Sequence, residues 1–269
     1  MCSAADKRPL GDTLAIEVRG LSFSYGDEPL IDRFDLCIEK GCVTGLVGPN
    51  GCGKSTLLKL VSGLLEPRGG SIVVDGRVVA GLRHKERARL VSMMPQETPA
   101  VPMSVYDLAL CGRYAHMGPL RTPSAVDRAA VDRALEMAGL GASRNRLVDE
   151  LSGGQRQRAY FAMMLAQQTD TMLLDEPTSA LDIGAAHEVL SLVRAVQRRH
   201  GSTVVVVLHD LDLALRYCDE IAVMDGGALV VQAAPCDVVA SGVLETVFNV
   251  QVRTVETDLG PSWSFYPRM

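Results

Sequence analysis

Along 34–39 the apolar residues Phe34, Leu36 and Ile38 alternate with Asp35, Cys37 and Glu39, the period-two pattern of a half-buried strand. The stretch 14–25 has β-type composition, and 42–47 is a short, wholly apolar-to-small run that reads as a buried strand. Beyond the break at Pro67-Arg68-Gly69-Gly70, residues 71–79 read as a strand and turn, and 89–94 as a further strand ending at Pro95-Gln96. The period then changes to that of helices. Helices are expected over 104–111, over 124–138 with Ser124 and Asp127 as a capping box, and from Ser152 through Leu165. In the last third strands and helices alternate: strand 171–174, helix 185–200, strand 203–208, helix 211–218 and strand 221–224. This order predicts a parallel sheet covered on both faces, with ligands at the carboxyl ends of its strands. From Pro235 onward only a short helix over 243–248 and a polar tail are expected.

The chain has 269 residues, 47% hydrophobic and 22% charged, so a sizeable core is available. A formal net charge of -5 gives no general attraction to nucleic acid or anionic lipid, and any phosphate binding must be local. The longest aliphatic run, Val204 to Leu208, is far short of the roughly 18–20 residues of a membrane span. Residues 1–13 are polar and lack a signal-peptide core, so a loose tail is expected there. The 7 cysteines are scattered without a C-x-x-C pair, which points to reduced thiols in place of disulfides or zinc.

Between strand 42–47 and the helical run after it lies Gly48-Pro49-Asn50-Gly51-Cys52-Gly53-Lys54-Ser55-Thr56, a G-x-x-x-x-G-K-[ST] loop. Glycines allow the backbone to curl around a phosphate chain, and the amides at the helix N-terminus then face the anion. Lys54 is placed to reach the β- and γ-phosphates and Ser55 to hold Mg²⁺ through its hydroxyl. Strand 171–174 ends in Asp175-Glu176-Pro177, where Asp175 suits the magnesium shell and Glu176 suits deprotonation of an attacking water. Leu151-Ser152-Gly153-Gly154-Gln155 opens a helix with a capping box. Yet two glycines in a first turn weaken a helix by roughly 1 kcal/mol each relative to alanine. Bare amides with a serine hydroxyl there make a second anion site that lacks its own lysine.

These three stretches resemble the Walker A, signature and Walker B motifs of the ABC-type ATPases, and the resemblance spans about Leu14 to Val239. It implies a P-loop NTPase of α/β class, with a RecA-like parallel-sheet core, an N-terminal antiparallel β subdomain and an inserted α-helical subdomain near 97–167. The ATPase domain would occupy 14–240 and a C-terminal extension 241–269. The resemblance further implies a head-to-tail dimer in which ATP and Mg²⁺ lie between the loop of one copy and Ser152, Gly153, Gly154 and Gln155 of the other. By the same resemblance Tyr25 stacks on adenine, Gln96 contacts Mg²⁺ and the attacking water, Asp182 belongs to a loop crossing the interface, and His209 contacts the γ-phosphate. Cys52 departs from the small serine or alanine common at its position. Its thiol, near a helix N-terminus, is expected to have a lowered pKa, and its alkylation to block ATP binding.

The segment 101–114 and the ending Val247-Phe248-Asn249-Val250 are similar to the ATPases of iron-chelate (siderophore or haem) and cobalamin importers. This implies a peripheral subunit at the cytoplasmic face of the membrane, bound to a separate permease that is served by an extracytoplasmic substrate-binding protein. Zinc or manganese importers share much of the pattern. An ATPase of iron-sulfur cluster assembly is the rival from another class, and DNA-repair and translation relatives fit worse in the absence of a long coiled-coil insertion or basic face.

Overall fold

The computed structural model of the chain describes residues 13–118, 122–179, 181–258 and 260–268. Nearly all of the tail expected at 1–13, and Ala180 of the loop before Asp182, lie outside the described residues. Strand β1 (Leu14–Phe23) pairs antiparallel with β2 (Ile31–Glu39), whose alternating burial follows its alternating sequence. Strand β3 (Val43–Val47) is buried at every position and delivers the chain into α1 (Lys54–Val61). Strands β4 (Gly69–Val74) and β5 (Arg77–Val78) complete the antiparallel sheet β2-β1-β4-β5.

Arg89 and Leu90, expected in a strand, close helix α2 (His84–Leu90), and only β6 (Val91–Met94) is extended. Helix α2 offers almost no apolar face. It is fixed by the Glu86 carboxylate, which accepts from Arg83 N at 3.0 Å and Arg83 Nε at 3.1 Å, and by Arg87 donating to Gly63 O at 2.7 Å.

Helices α3 (Val105–Cys111), α4 (Ala125–Met137) and α5 (Gly153–Ala166) form the helical layer, with Ser104, Ser124 and Ser152 as their N-caps. The Ser124–Asp127 capping box forms as the sequence predicts. Gly112 lets α3 approach α5 closely, because a Cβ there would lie 2.0 Å from Met163 O. The next residue, Arg113, is buried. It donates to Asp127 Oδ1 at 3.0 Å, to Ala166 O at 2.8 Å and to Gln168 Oε1 at 2.8 Å, joining the start of α4 to the end of α5.

The rest follows in alternation: β7 (Thr171–Asp175), α6 (Ile183–His200), β8 (Thr203–Val207), α7 (Leu211–Tyr217) and β9 (Glu220–Asp225). Strand β10 (Ala228–Ala233) turns back as an antiparallel edge, giving the six-stranded order β10-β9-β3-β8-β7-β6. The central strands β3, β7 and β8 are buried throughout, as parallel strands covered on both faces require. Their alternate side chains divide between two cores. Leu46, Leu173 and Val205 pack toward the antiparallel sheet and α1, whereas Val47, Leu174 and Val206 pack toward the helices.

The polar tail expected after Pro235 is instead structured. Helices α8 (Pro235–Ala240) and α9 (Val243–Phe248) lead into a hairpin of β11 (Val250–Thr257) and β12 (Gly260–Pro267). Trp263 of β12, only 8% exposed, anchors the hairpin to the helical core.

Candidate functional site

The carboxyl ends of β3 and β7 meet at one place, and the chemistry predicted from the sequence gathers there. Leaving β3, the chain turns at Gly48, where a Cβ would sit 2.2 Å from Met224 O of β9. Gly51 and Gly53 have φ of +81° and +104°, values that side-chain-bearing residues rarely adopt. Asn50 is exposed at the loop tip. Lys54 opens α1 buried, its ammonium donating to Gly48 O at 2.8 Å and Pro49 O at 2.9 Å, so the charge lies inside the loop's own curve.

Ser55 donates its hydroxyl proton to Asp175 Oδ1 at 2.8 Å. Burial at the end of β7 pushes the Asp175 carboxyl up, an effect that the Ser55 hydrogen bond opposes and the neighbouring Glu176 reinforces. Two hard oxygen donors, one on a buried carboxylate with an incomplete counter-charge, fit Mg²⁺. This ion takes few protein ligands and fills its octahedron with phosphate and water. Among the described residues no group of three or more His, Cys, Asp or Glu could hold a metal by itself. Thr56 completes the loop and lies 3.3 Å from the hydroxyl of Tyr25. Tyr25 is 65% exposed just beyond β1, propped edge-on against Phe23 with ring centroids 4.9 Å apart.

Glu176 follows Asp175 at φ +51°, a left-handed conformation costly for a residue with a Cβ. Ser179 steadies the turn through its N–H and hydroxyl, both donated to Glu176 O. The carboxylate receives Gln96 Nε2 at 2.6 Å and lies 2.5 Å from His209 Nε2. Gln96 and His209 therefore converge on Glu176, and the Gln96 side-chain bond goes to that carboxylate in preference to the Ser55–Asp175 pair.

One expectation is corrected by the loop itself. The Cys52 thiol is 5% exposed, and burial pushes its pKa up, outweighing the nearby Lys54 ammonium and backbone N–H. Desolvation beats the helix N-terminus at this position.

Ser152, Gly153, Gly154 and Gln155 form the first turn of α5. Ser152 N donates to Gln155 Oε1 at 3.2 Å and Gln155 N to Ser152 Oγ at 3.4 Å, and Ser152 and Gly153 face solvent. Among the described residues no hydrogen bond or ion pair joins this turn to Gly48–Thr56. Asp182 caps α6, accepting from Ala185 N at 2.8 Å, and is likewise exposed.

The sequence reading missed one member of this region, Gln157. It is buried on α5, donates Nε2 to Pro177 O at 2.7 Å and accepts from Thr98 Oγ1 at 3.1 Å. A polar residue on the apolar face of a helix two residues past a motif was the available signal.

A glycine loop after β3, an Asp-Glu pair at the end of β7, one strand removed across β8, and a glycine-opened helix on the inserted layer define an ATPase of the ABC class. The sequence model of that family, the ABC transporters, matches residues 31–179, and the chain belongs to it among the ATP-binding subunits that hydrolyse ATP. Relatives include the achromobactin transport ATP-binding protein CbrD of Dickeya dadantii (strain 3937), 41% identical over 90% of this chain and 90% of the relative. The petrobactin import ATP-binding protein FpuD of Bacillus anthracis is 40% identical over 91% of this chain and 89% of its own length. Among solved structures, cbiO1 of Clostridium perfringens, part of the ABC transporter complex cbiONQ, superposes with a TM-score of 0.76 at 28% identity. The match covers 87% of this chain and 94% of cbiO1.

Proposed function

We propose that this chain is the ATPase subunit that powers import of an iron chelate, a siderophore or haem, or of cobalamin through a separate membrane permease. No helix among the described residues is long and apolar enough to cross a membrane, so the permease would supply the path. The subunit would sit at the cytoplasmic face, and an extracytoplasmic binding protein would deliver substrate to the permease. The names of the relatives, achromobactin transport and petrobactin import, support the iron-chelate class.

One observation carries the mechanism. Gly153 and Gly154 have no positive φ and no crowding: an added Cβ would meet its nearest neighbours at 3.9 and 3.4 Å. Nothing inside the protomer requires glycine there, so the bare amides serve a surface that comes from outside. A second copy, head to tail, provides it, and ATP held by Gly48–Thr56 of one copy is closed over by Ser152–Gln155 of the other. Within that site Tyr25 would stack on the base, Lys54 and the loop amides would hold the phosphates, and Ser55, Asp175 and Gln96 would hold the metal. Bound Mg²⁺ supplies charge neutralisation on the phosphate oxygens. Glu176 accepts the proton of the attacking water, Gln96 and His209 orient it, and Asp182 lies in the loop that crosses to the partner copy.

The reading is tested by purifying the tagged chain from detergent-solubilised membranes. A polytopic permease retained with it supports import, and a soluble set of cluster-assembly proteins retained in its place overturns it.

A further inference from the structure

The loop that carries Gln96 and the turn that carries Glu176 come from different parts of the chain, yet both are tied to one face of α5. Gln157 reaches the two at once: its amide N–H donates to Pro177 O at 2.7 Å, one residue past Glu176. Its amide oxygen accepts from Thr98 Oγ1 at 3.1 Å, two residues past Gln96. Three residues along α5, on the same face, the Tyr160 hydroxyl donates to Pro99 O at 2.8 Å. Gln157 is 4% exposed, so its amide groups have no solvent to replace these partners.

The first turn of the same helix holds exposed Ser152 and Gly153 and half-buried Gly154. A rigid helix therefore has the outward-facing turn at its start and, five residues later, a side chain that grips the backbone beside Glu176. That backbone is already in a costly conformation, with Glu176 at φ +51°. A strained residue keeps its place only while its surroundings over-determine it, and Gln157 is one of the groups that do so.

We propose that Gln157 is a positioning residue, one that makes the placement of Glu176 and Gln96 depend on the placement of α5. A small shift of α5 pulls Pro177 O and Thr98 together and moves the Glu176 carboxylate relative to the phosphate loop, which is held by the other core. The first turn of α5 thus reports to the carboxylate of its own protomer. This inference rests on the reading of Glu176 as the base for water attack.

The experiment is steady-state ATP hydrolysis by the purified full-length chain carrying Gln157→Met, which keeps the volume and removes both hydrogen bonds. A misplacement of about 1 Å costs on the order of 10²-fold, so kcat should fall roughly 10- to 100-fold, with KM for ATP and nucleotide affinity of the monomer within about twofold of wild type. Thr98→Val, which removes one of the two bonds from the other side, should give a smaller fall with the same split. It serves as the test should Gln157→Met fail to fold. Wild-type kcat in both variants overturns the proposal, as does a fall accompanied by a matching loss of ATP affinity. If the wild-type chain itself fails to hydrolyse ATP, the reading of the site is what fails.

Discussion

Glycines stand at the start of α1 and at the start of α5, and they are there for opposite reasons. In the loop before α1 the fold demands them. Gly48 touches the backbone of β9 so closely that a Cβ would lie 2.2 Å from Met224 O, and Gly51 and Gly53 hold φ of +81° and +104°. At the start of α5 the backbone is helical, and an added Cβ would meet only ordinary contacts, Leu181 Cδ2 at 3.9 Å from Gly153 and Ala185 Cβ at 3.4 Å from Gly154. The first three glycines are explained by the protomer alone. The second has no such reason inside the protomer, and the proposed reading supplies one: a partner that comes close to bare amides at a helix end whose dipole favours an anion. Both helix ends suit an anion, but only the first has a lysine beside it, Lys54, and a hydroxyl bonded to a buried carboxylate, Ser55 on Asp175. On the proposed reading, these are the two halves of a composite site, and no hydrogen bond or ion pair among the described residues joins them within one copy.

The largest effect expected is from Glu176→Gln, which leaves both helix ends intact and removes the carboxylate proposed as the base. Turnover should fall about 10²- to 10⁴-fold with ATP binding retained, and the ATP-bound chain should elute as a dimer on size exclusion. Normal turnover, or a monomer in the presence of ATP, would break the comparison at its centre.

Next comes the scaffold of the second half. Arg113 and Asp127, with side chains 4% and 7% exposed, fix the far end of α5 to α4. Breaking a buried pair by removing one partner costs about 3–5 kcal/mol, so Arg113→Met should show a loss of that order in urea unfolding. The phosphate loop belongs to a different core, and nucleotide affinity of the folded variant should stay near that of wild type. The pair also predicts an acid limb. The Ser124 hydroxyl first, then the Ser124 N–H and the Arg113 guanidinium, overcome the cost of burial and hold Asp127 at about 2, below its usual 3.8. A depressed carboxylate contributes stability that is complete above the unfolded value and is lost as pH falls through the folded one. The contribution should thus decline from about pH 4 toward 2 and be absent from the slope of Asp127→Asn.

How much of this was legible depended on how local each signal is. The phosphate loop, the Asp175-Glu176 pair and the Ser152–Gln155 turn are short strings whose chemistry is complete within a few residues. Parallel strands such as β8 announce themselves by unbroken valines. Helix α2 was not legible because its stability comes from elsewhere: Arg87 on Gly63 O, Arg89 on Ala115 O and Lys85 on Met117 O are tertiary bonds. The hairpin β11–β12 looked like a polar tail because its inward face offers little beyond Val252, Trp263 and Phe265, and these become a signal only once the helical core that receives them is present. Gln157 escaped for the same reason, since its partners Thr98 and Pro177 lie about 60 and 20 residues away in sequence, as far as backbone geometry permits no local rule to see.

A paired substitution sharpens the comparison directly. Gly48→Ala must push against the backbone of β9, so it should destabilise the chain by about 1–3 kcal/mol or more and abolish nucleotide binding in the monomer. Gly153→Ala should have the opposite sign on stability, up to about 1 kcal/mol more stable, because alanine is the better helix residue and nothing obstructs it. Monomer affinity for ATP should be unchanged, yet hydrolysis should fall as the added methyl holds the partner copy away. If Gly153→Ala hydrolyses ATP normally, the open glycines have no external partner and the second half of the site is misassigned.

The smallest effect belongs to Cys52, and it separates what a loop shows from what it buries. The thiol stands at the N-terminal side of α1, where a positive helix end and the Lys54 ammonium would favour the thiolate, yet it is 5% exposed with its sulfur 3.8 Å from Lys54 Nζ. Burial outweighs both and raises the pKa above its ordinary 9.0. The loop's anion contacts are made by backbone amides, so Cys52→Ser should change nucleotide affinity by less than about twofold. Alkylation at neutral pH should label the exposed Cys111 and Cys236 well before Cys52, and mass mapping of the modified peptides reads the order. Rapid, ATP-protected labelling of Cys52 at pH 7 would mean that the loop opens in solution and that its glycines, like those of α5, serve a surface seen from outside.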